Sequence, residues 1–208
     1  MVHAKRAGRR RLAPVVVVAG VVLVLTAESV PGSLGLGSRG DAVLDYIALV
    51  NPEAPLHRLA GFPESLRSIS REVGLDHCLA LAQAEVESSF WPDAVGRAGE
   101  IGLYQVLPGT ASLFGRRRAE LFDPHVNTRV ALTYLSDILT RRPALRDALA
   151  EYNGGPRNRS PYYALTVLEN YARVLRHPAL GCEPERNPEF AWPGRRAFGA
   201  AVSGRSAS

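Results

Sequence analysis

The feature that most constrains the fold is an apolar repeat in the middle of the chain. Asp123-Pro124 is a helix-capping pair, and after it Val126, Val130, Tyr134 and Ile138 recur every fourth residue with Ala131, Leu135 and Leu139 beside them. That period belongs to an amphipathic helix and to nothing else in the common repertoire. Similar signals recur on both sides. Asp41 to Val50 reads as a short helix ended by the Asn51-Pro52 and Ala54-Pro55 pairs. Pro63 stands at the start of a segment ending at Gly74, and Asp76 caps a helix whose face is Leu79, Ala82 and Val86. Pro143 opens a short helix through Glu151; Ser160-Pro161 opens another, with Leu165, Leu168, Tyr171 and Leu175 on one face and a stop at His177-Pro178. No segment alternates with period two between hairpin turns. The chain is therefore expected to be mainly α, with its domain over 62–180.

The rest reads as appendages. Lys5, Arg6, Arg9, Arg10 and Arg11 precede the run Leu12 to Ala27, whose only polar member is Thr26. A positive segment followed by an apolar one is an export signal, and 1–29 is either a cleaved signal peptide or a membrane anchor, since 16 apolar residues fall between the two lengths. Residues 30–61 begin with PGSLGLGSRG, the composition of a flexible linker, and include the short helix. Residues 181–208 read as a disordered or loosely docked tail. The 25 basic and 20 acidic residues give a net charge of +5, but the five positive charges at the N-terminus account for all of it. The remainder is balanced, so nothing points to nucleic acid. Cys78 and Cys182 either form one bridge, as an oxidising compartment permits, or remain a buried thiol and a tail thiol.

Glu87 is the residue with chemical prospects. It lies in the last turn of its helix, where unpaired carbonyls disfavour negative charge, and Phe90 and Trp91 follow it as candidates to desolvate it. Keeping a carboxyl group protonated about two pH units above its usual range takes about 2.7 kcal/mol, more than a helix end supplies, so desolvation must do most. A carboxyl group so tuned is a general acid.

The surrounding motifs say what such an acid would serve. Glu87-Ser88-Ser89-Phe90 resembles the E-S-x-F signature of lytic transglycosylases, whose soluble-type catalytic domain is itself related to goose-type lysozyme. Gly99-Glu100-Ile101-Gly102-Leu103-Tyr104-Gln105 is similar to G-A-x-G-L-M-Q, with Pro108, Thr110 and Ala111 matching the P-x-T-A that follows. Asp123-Pro124 with Asn127 matches D-P-x-x-N, Tyr134-Leu135 the Y-L of the same helix, and Ala150 to Pro156 resembles A-A-Y-N-A-G-P. Five blocks in order over some 80 residues carry the resemblance. Three departures stand out: Glu100 for alanine, Tyr104 for methionine, and Arg157 where glycine is frequent; Val167 also stands, four before Tyr171, where the family often has glutamate.

The resemblance implies a lysozyme-like helical domain with a two-lobed cleft, acting on peptidoglycan glycan strands. Glu87 would protonate the glycosidic oxygen between N-acetylmuramic acid and N-acetylglucosamine and, as carboxylate, deprotonate the C6 hydroxyl that closes a 1,6-anhydro ring. This suits a chain with one recognisable site carboxylate, where ordinary glycosidases need two. Tyr152 would correspond to the tyrosine whose hydroxyl reaches the catalytic carboxylate; Ser88, Gln105 and Asn153 would contact or orient substrate. Gly99 and Gly102 would serve a tight turn, and Glu100 is expected to be solvated on its loop. Were Glu100 to face the cleft, it would supply a second carboxylate and favour water as acceptor, the lysozyme-type muramidase outcome; a non-catalytic peptidoglycan-binding scaffold is the third reading. No cofactor or metal is expected, because the five histidines lack ligand spacing and the Gly-rich stretches do not follow strands. The expected location is the periplasmic or cell-envelope side. The N-terminal segment, if uncleaved, would hold the chain in the inner membrane, and envelope-spanning machinery is a candidate partner beside generic wall turnover.

Overall fold

In the computed structural model the described residues are 40–187. The apolar run at 12–27, the Gly-rich start of the linker and the tail beyond 187 lie outside them. Among the described residues no helix is long and apolar enough to cross a membrane.

Seven α-helices make up this part: α1 Ala42–Val50, α2 Phe62–Val73, α3 His77–Ser88, α4 Pro108–Leu113, α5 Pro124–Arg141, α6 Leu145–Gly154 and α7 Pro161–Val174. Their ends follow the expected chemistry. The Asp41, Asp76, Asp123 and Ser160 side chains each accept a backbone N–H of the following first turn, and Gly74 ends α2 in the left-handed conformation. The only extended pairings among the described residues are two isolated antiparallel bridges, Val95 with Ile101 and Ile101 with Val106.

α3 is the central helix. Every residue from His77 to Ala84 is buried, as befits a helix apolar on nearly all sides. It packs mainly on α7 and α2; α5 packs on α2 and α6, and α6 on α7. α7 turns a different stripe inward from the one expected. Tyr163, Ala164, Val167, Tyr171 and Val174 are buried, while Leu165 is 49% exposed. The i, i+4, i+8 row of Tyr163, Val167 and Tyr171 faces inward, and its two phenols find polar partners there, Glu87 of α3 for Tyr163 and the α3 cap Asp76 for Tyr171.

The folded body is larger than 62–180. Val43, Tyr46 and Ile47 of α1, with Ala54 and Leu59, belong to the core, and the Tyr46 hydroxyl donates to Glu85 of α3 at 2.9 Å. At the other boundary Cys182 is bonded to Cys78, their Cα atoms 5.5 Å apart. Asn187 is buried, accepts the Asp76 N–H at 2.9 Å and donates to the Tyr171 hydroxyl at 2.9 Å. The Asp76 carboxylate, wholly buried, also takes the Tyr171 hydroxyl at 2.6 Å and the N–H groups of Cys78 and Glu183. One short polar side chain thus ties the start of α3 to α7 and to 183–187, satisfying groups that would otherwise be buried without partners.

Candidate active site

The segment between α3 and α4 is held in place by two side chains that the motifs singled out. Asn127 of α5, wholly buried, accepts the Tyr104 N–H at 2.8 Å and donates to the carbonyls of Ile101 at 2.8 Å and Leu121 at 3.0 Å. Gly102 adopts φ +81°, and a Cβ there would lie 2.4 Å from the Asn127 amide, so the close approach requires glycine. From α3 the Ser88 hydroxyl donates to the Leu103 carbonyl at 2.9 Å. Ser88 therefore does not line the pocket described below; expected at the substrate, it instead fixes the loop that does.

That loop, the end of α3 and the end of α6 enclose a pocket of about 360 Å³ whose wall includes Glu87, Glu100, Gln105, Tyr134, Tyr152 and Asn153. α6 begins at Leu145 rather than Pro143 and runs to Gly154, so Tyr152 and Asn153 occupy its last turn and reach the pocket from a helix. The backbone beside Glu87 is unusual. Ser89 and Phe90 have φ of 50° and 66°, and Gln105 has 45°, three left-handed residues without glycine. Phe90 is wholly buried and the Asn51 amide holds the Ser89 carbonyl at 2.7 Å, which is how packing sustains a sharp exit from the helix. Such outliers gather at functional sites, where surrounding structure over-determines them.

Glu87 is partly buried, and its Oε1 accepts the Tyr163 hydroxyl at 2.5 Å. Burial pushes its carboxyl group up to about 7; the Tyr163 hydrogen bond pulls the other way, and the negative charge of Glu100 adds to the rise. Neither Phe90 nor Trp91 lines the pocket; Phe90 is wholly buried and Trp91 is 40% exposed. Glu151, one residue before Tyr152, shows the contrast. Burial pushes it up as well, but Arg141 and Arg142 both pair with it and the balance falls on the low side. A buried carboxylate with two guanidinium partners is structural; one with a single phenol is poised to exchange a proton.

The phenol on Glu87 is thus Tyr163, not Tyr152. The Tyr152 hydroxyl donates to the Tyr104 carbonyl at 3.0 Å, and its ring stacks on Tyr163 with centroids 6.5 Å apart and planes 10° off parallel. Tyr163 in turn accepts from the Gln83 amide at 3.2 Å. The available sequence signal was a phenol at the head of the buried stripe of α7, since a buried tyrosine hydroxyl needs a partner.

Gln105 and Asn153 both line the pocket, but Gln105 is committed. Its amide nitrogen donates to the carbonyls of Gly102 and Ala94, leaving only its oxygen for the pocket. Glu100, expected in solvent, lines the same pocket, and its Oε2 accepts the Ala98 N–H at 2.9 Å. A Cβ on Gly96 would lie 2.3 Å from Glu100 Oε2 and 2.7 Å from Gln105 Oε1, so glycine at 96 makes room for both acceptors.

A helical domain that holds a glutamate near pH 7 in a polar pocket beside a pinned glycine loop has the layout of a general-acid site. Residues 65–166 match the family model described as the transglycosylase SLT domain. Among curated relatives, the membrane-bound lytic murein transglycosylase C of Photorhabdus laumondii is 35% identical over 107 residues, 43% of this chain and 30% of that protein. Its counterpart in Mannheimia succiniciproducens is 39% identical over 79 residues, 34% of this chain and 22% of that protein. The chain thus spans about a third or less of these relatives' length. A solved structure of lytic transglycosylase Slt from Pseudomonas aeruginosa, an inactive mutant, aligns with 72% of this chain and 30% of its own, at 23% identity and a TM-score of 0.48.

Proposed function

We propose that this chain cleaves the β-1,4 bond between N-acetylmuramic acid and N-acetylglucosamine in peptidoglycan, leaving 1,6-anhydro-muramic acid ends. The observation that carries the proposal is the Glu87 carboxyl group, lining a polar pocket and held near pH 7 by burial with a phenol as its hydrogen-bond partner. Protonated Glu87 gives its proton to the glycosidic oxygen as the C1–O bond breaks, and the departing sugar leaves with a free hydroxyl. The carboxylate so formed takes the proton of the muramic acid C6 hydroxyl while that oxygen bonds to C1. Glu87 ends protonated, no water is consumed, and one residue serves as acid and then as base. The Tyr163 hydroxyl stabilises the carboxylate stage. Asn153 and the Gln105 oxygen offer sugar amide and hydroxyl groups an acceptor-rich wall, with Tyr152 behind it.

Hydrolysis is the second reading, and the placement of Glu100 in the same pocket favours keeping it. A water deprotonated by Glu100 would attack C1 in place of the C6 hydroxyl. Mass spectrometry of digested sacculi tests both: anhydro ends support transglycosylation, reducing ends support hydrolysis, and intact strands overturn catalysis altogether.

Export supports the same assignment. The substrate lies outside the cytoplasm, the sequence opens with a basic then apolar segment, and a Cys78–Cys182 bridge suits an oxidising compartment. We place the chain at the cell envelope, retained by its N-terminal segment or released after cleavage; fractionation of cells expressing the full chain, with and without a carbonate wash, separates the two.

A further inference from the structure

The segment joining α6 to α7 carries a second pocket, of about 410 Å³, walled by Arg146, Asp147, Ala150, Arg157, Arg159 and their neighbours. It adjoins the cleft along the chain. Asn153, Gly154 and Gly155 line the cleft, Arg157 and Arg159 follow within four residues, and Tyr163 then returns to Glu87. The segment is pinned rather than loose: the Ser160 N–H donates to the Ala150 carbonyl at 2.9 Å, and a Cβ on Gly154 would lie 3.2 Å from the Arg159 backbone.

The charges around this pocket are unbalanced. Arg141 and Arg142, on the neighbouring helix end, both pair with Glu151, whereas Arg157 and Arg159 have no ion-pair partner among the described residues. Arg146 reaches only Asp147, at 4.0 Å. Three guanidinium groups against one carboxylate around one concavity form a site for an anion, and the planar fork of arginine matches a carboxylate.

We propose that this pocket binds carboxylate groups of the peptide stem on the muramic acid being processed. The inference rests on the peptidoglycan reading above. In that substrate the sugar held at the cleft carries, through its lactyl ether, a short peptide with several free carboxylates, and the stem must leave the cleft over a rim. The arginine-rich pocket, next along the chain from the cleft wall, complements it in charge; a neutral glycan without stems has nothing to offer it.

The test compares glycan strands bearing stems with strands stripped by an amidase, using the full chain with Glu87→Gln so that binding is read without turnover. Arg157→Ala/Arg159→Ala in that background should weaken binding of stem-bearing strands about five-fold at low salt, as two partly exposed charge pairs would, and leave stripped strands unaffected. The parent's preference for stem-bearing strands should fall as ionic strength rises. Equal loss on both substrates, or no loss on either, overturns the proposal. Failure of the peptidoglycan reading would look different, since neither strand would then bind the parent protein. Restoration by Arg157→Lys/Arg159→Lys of the salt-dependent preference would confirm that charge, not loop shape, carries it.

Discussion

The two ends of α3 are built on opposite principles. At the N-terminal end Asp76 is wholly buried yet fully engaged, taking the Tyr171 hydroxyl and two backbone N–H groups, and a disulfide lies one turn away. At the C-terminal end Glu87 has one phenol partner, the chain leaves through two left-handed non-glycine residues, and the carboxyl group sits near pH 7. One end engages its buried carboxylate fully and holds the fold. The other withholds partners from a carboxylate, which costs stability and creates an acid. Sites that do proton chemistry are therefore expected beside rigid supports, and here a single helix of 12 residues provides both.

The sharpest way to break this contrast is Glu87→Gln. It should lower kcat on sacculi about 10³-fold, within the range for loss of a general acid. The same variant should not lose stability. Glu87 titrates higher when folded than its ordinary value of 4.5, so its favourable contribution is present below that pH and is lost as pH rises through about 7. Urea unfolding at pH 8 should show Glu87→Gln at least as stable as the parent, by up to about 2 kcal/mol, and a marked loss would mean that the carboxylate is structural.

At the other end Asp76→Ala should do the reverse, lowering stability by about 3–5 kcal/mol because a buried phenol and backbone donors lose their acceptor. Thermal unfolding would reveal it. Next comes Cys182→Ser, which frees a loop with a sequence separation of 104 and should cost about 3–4 kcal/mol while leaving kcat at 25 °C nearly unchanged. Circular dichroism melts with and without reductant provide the comparison, and an unchanged midpoint would refute it.

Two smaller effects sharpen the active end. Activity should fall as pH rises through about 7, because the proposed reaction starts from protonated Glu87. Tyr163→Phe removes the hydrogen bond that favours the carboxylate, so the alkaline limb should move to higher pH with a few-fold loss of kcat, whereas Tyr152→Phe should leave the limb in place. Glu100→Gln removes a like charge and should move the limb down by less than about one pH unit. A change from reducing to anhydro ends in the same variant would assign Glu100 to water activation.

Much of this was legible in the chain alone. Helix caps at Asp41, Asp76, Asp123 and Ser160 depend on side chains within three residues, so local spacing determined them, and with them the mainly α class. Glu87 in the last turn of its helix followed from the same reasoning, and the motif order identified Gln105, Tyr152 and Asn153, which the fold gathers at one pocket. What the sequence could not decide were contacts between distant segments. Tyr163 rather than Tyr152 meets Glu87 because α7 rolls its phenols toward α3; Ser88 turns to a loop carbonyl fifteen residues on; Glu100 enters the cleft because Gly96 leaves room; Cys182 finds Cys78 across most of the domain. Caps and periodicity are written in neighbouring residues. The partner of a buried hydroxyl or carboxylate, and hence its proton affinity, exists only once helices from separate parts of the chain have packed and excluded water.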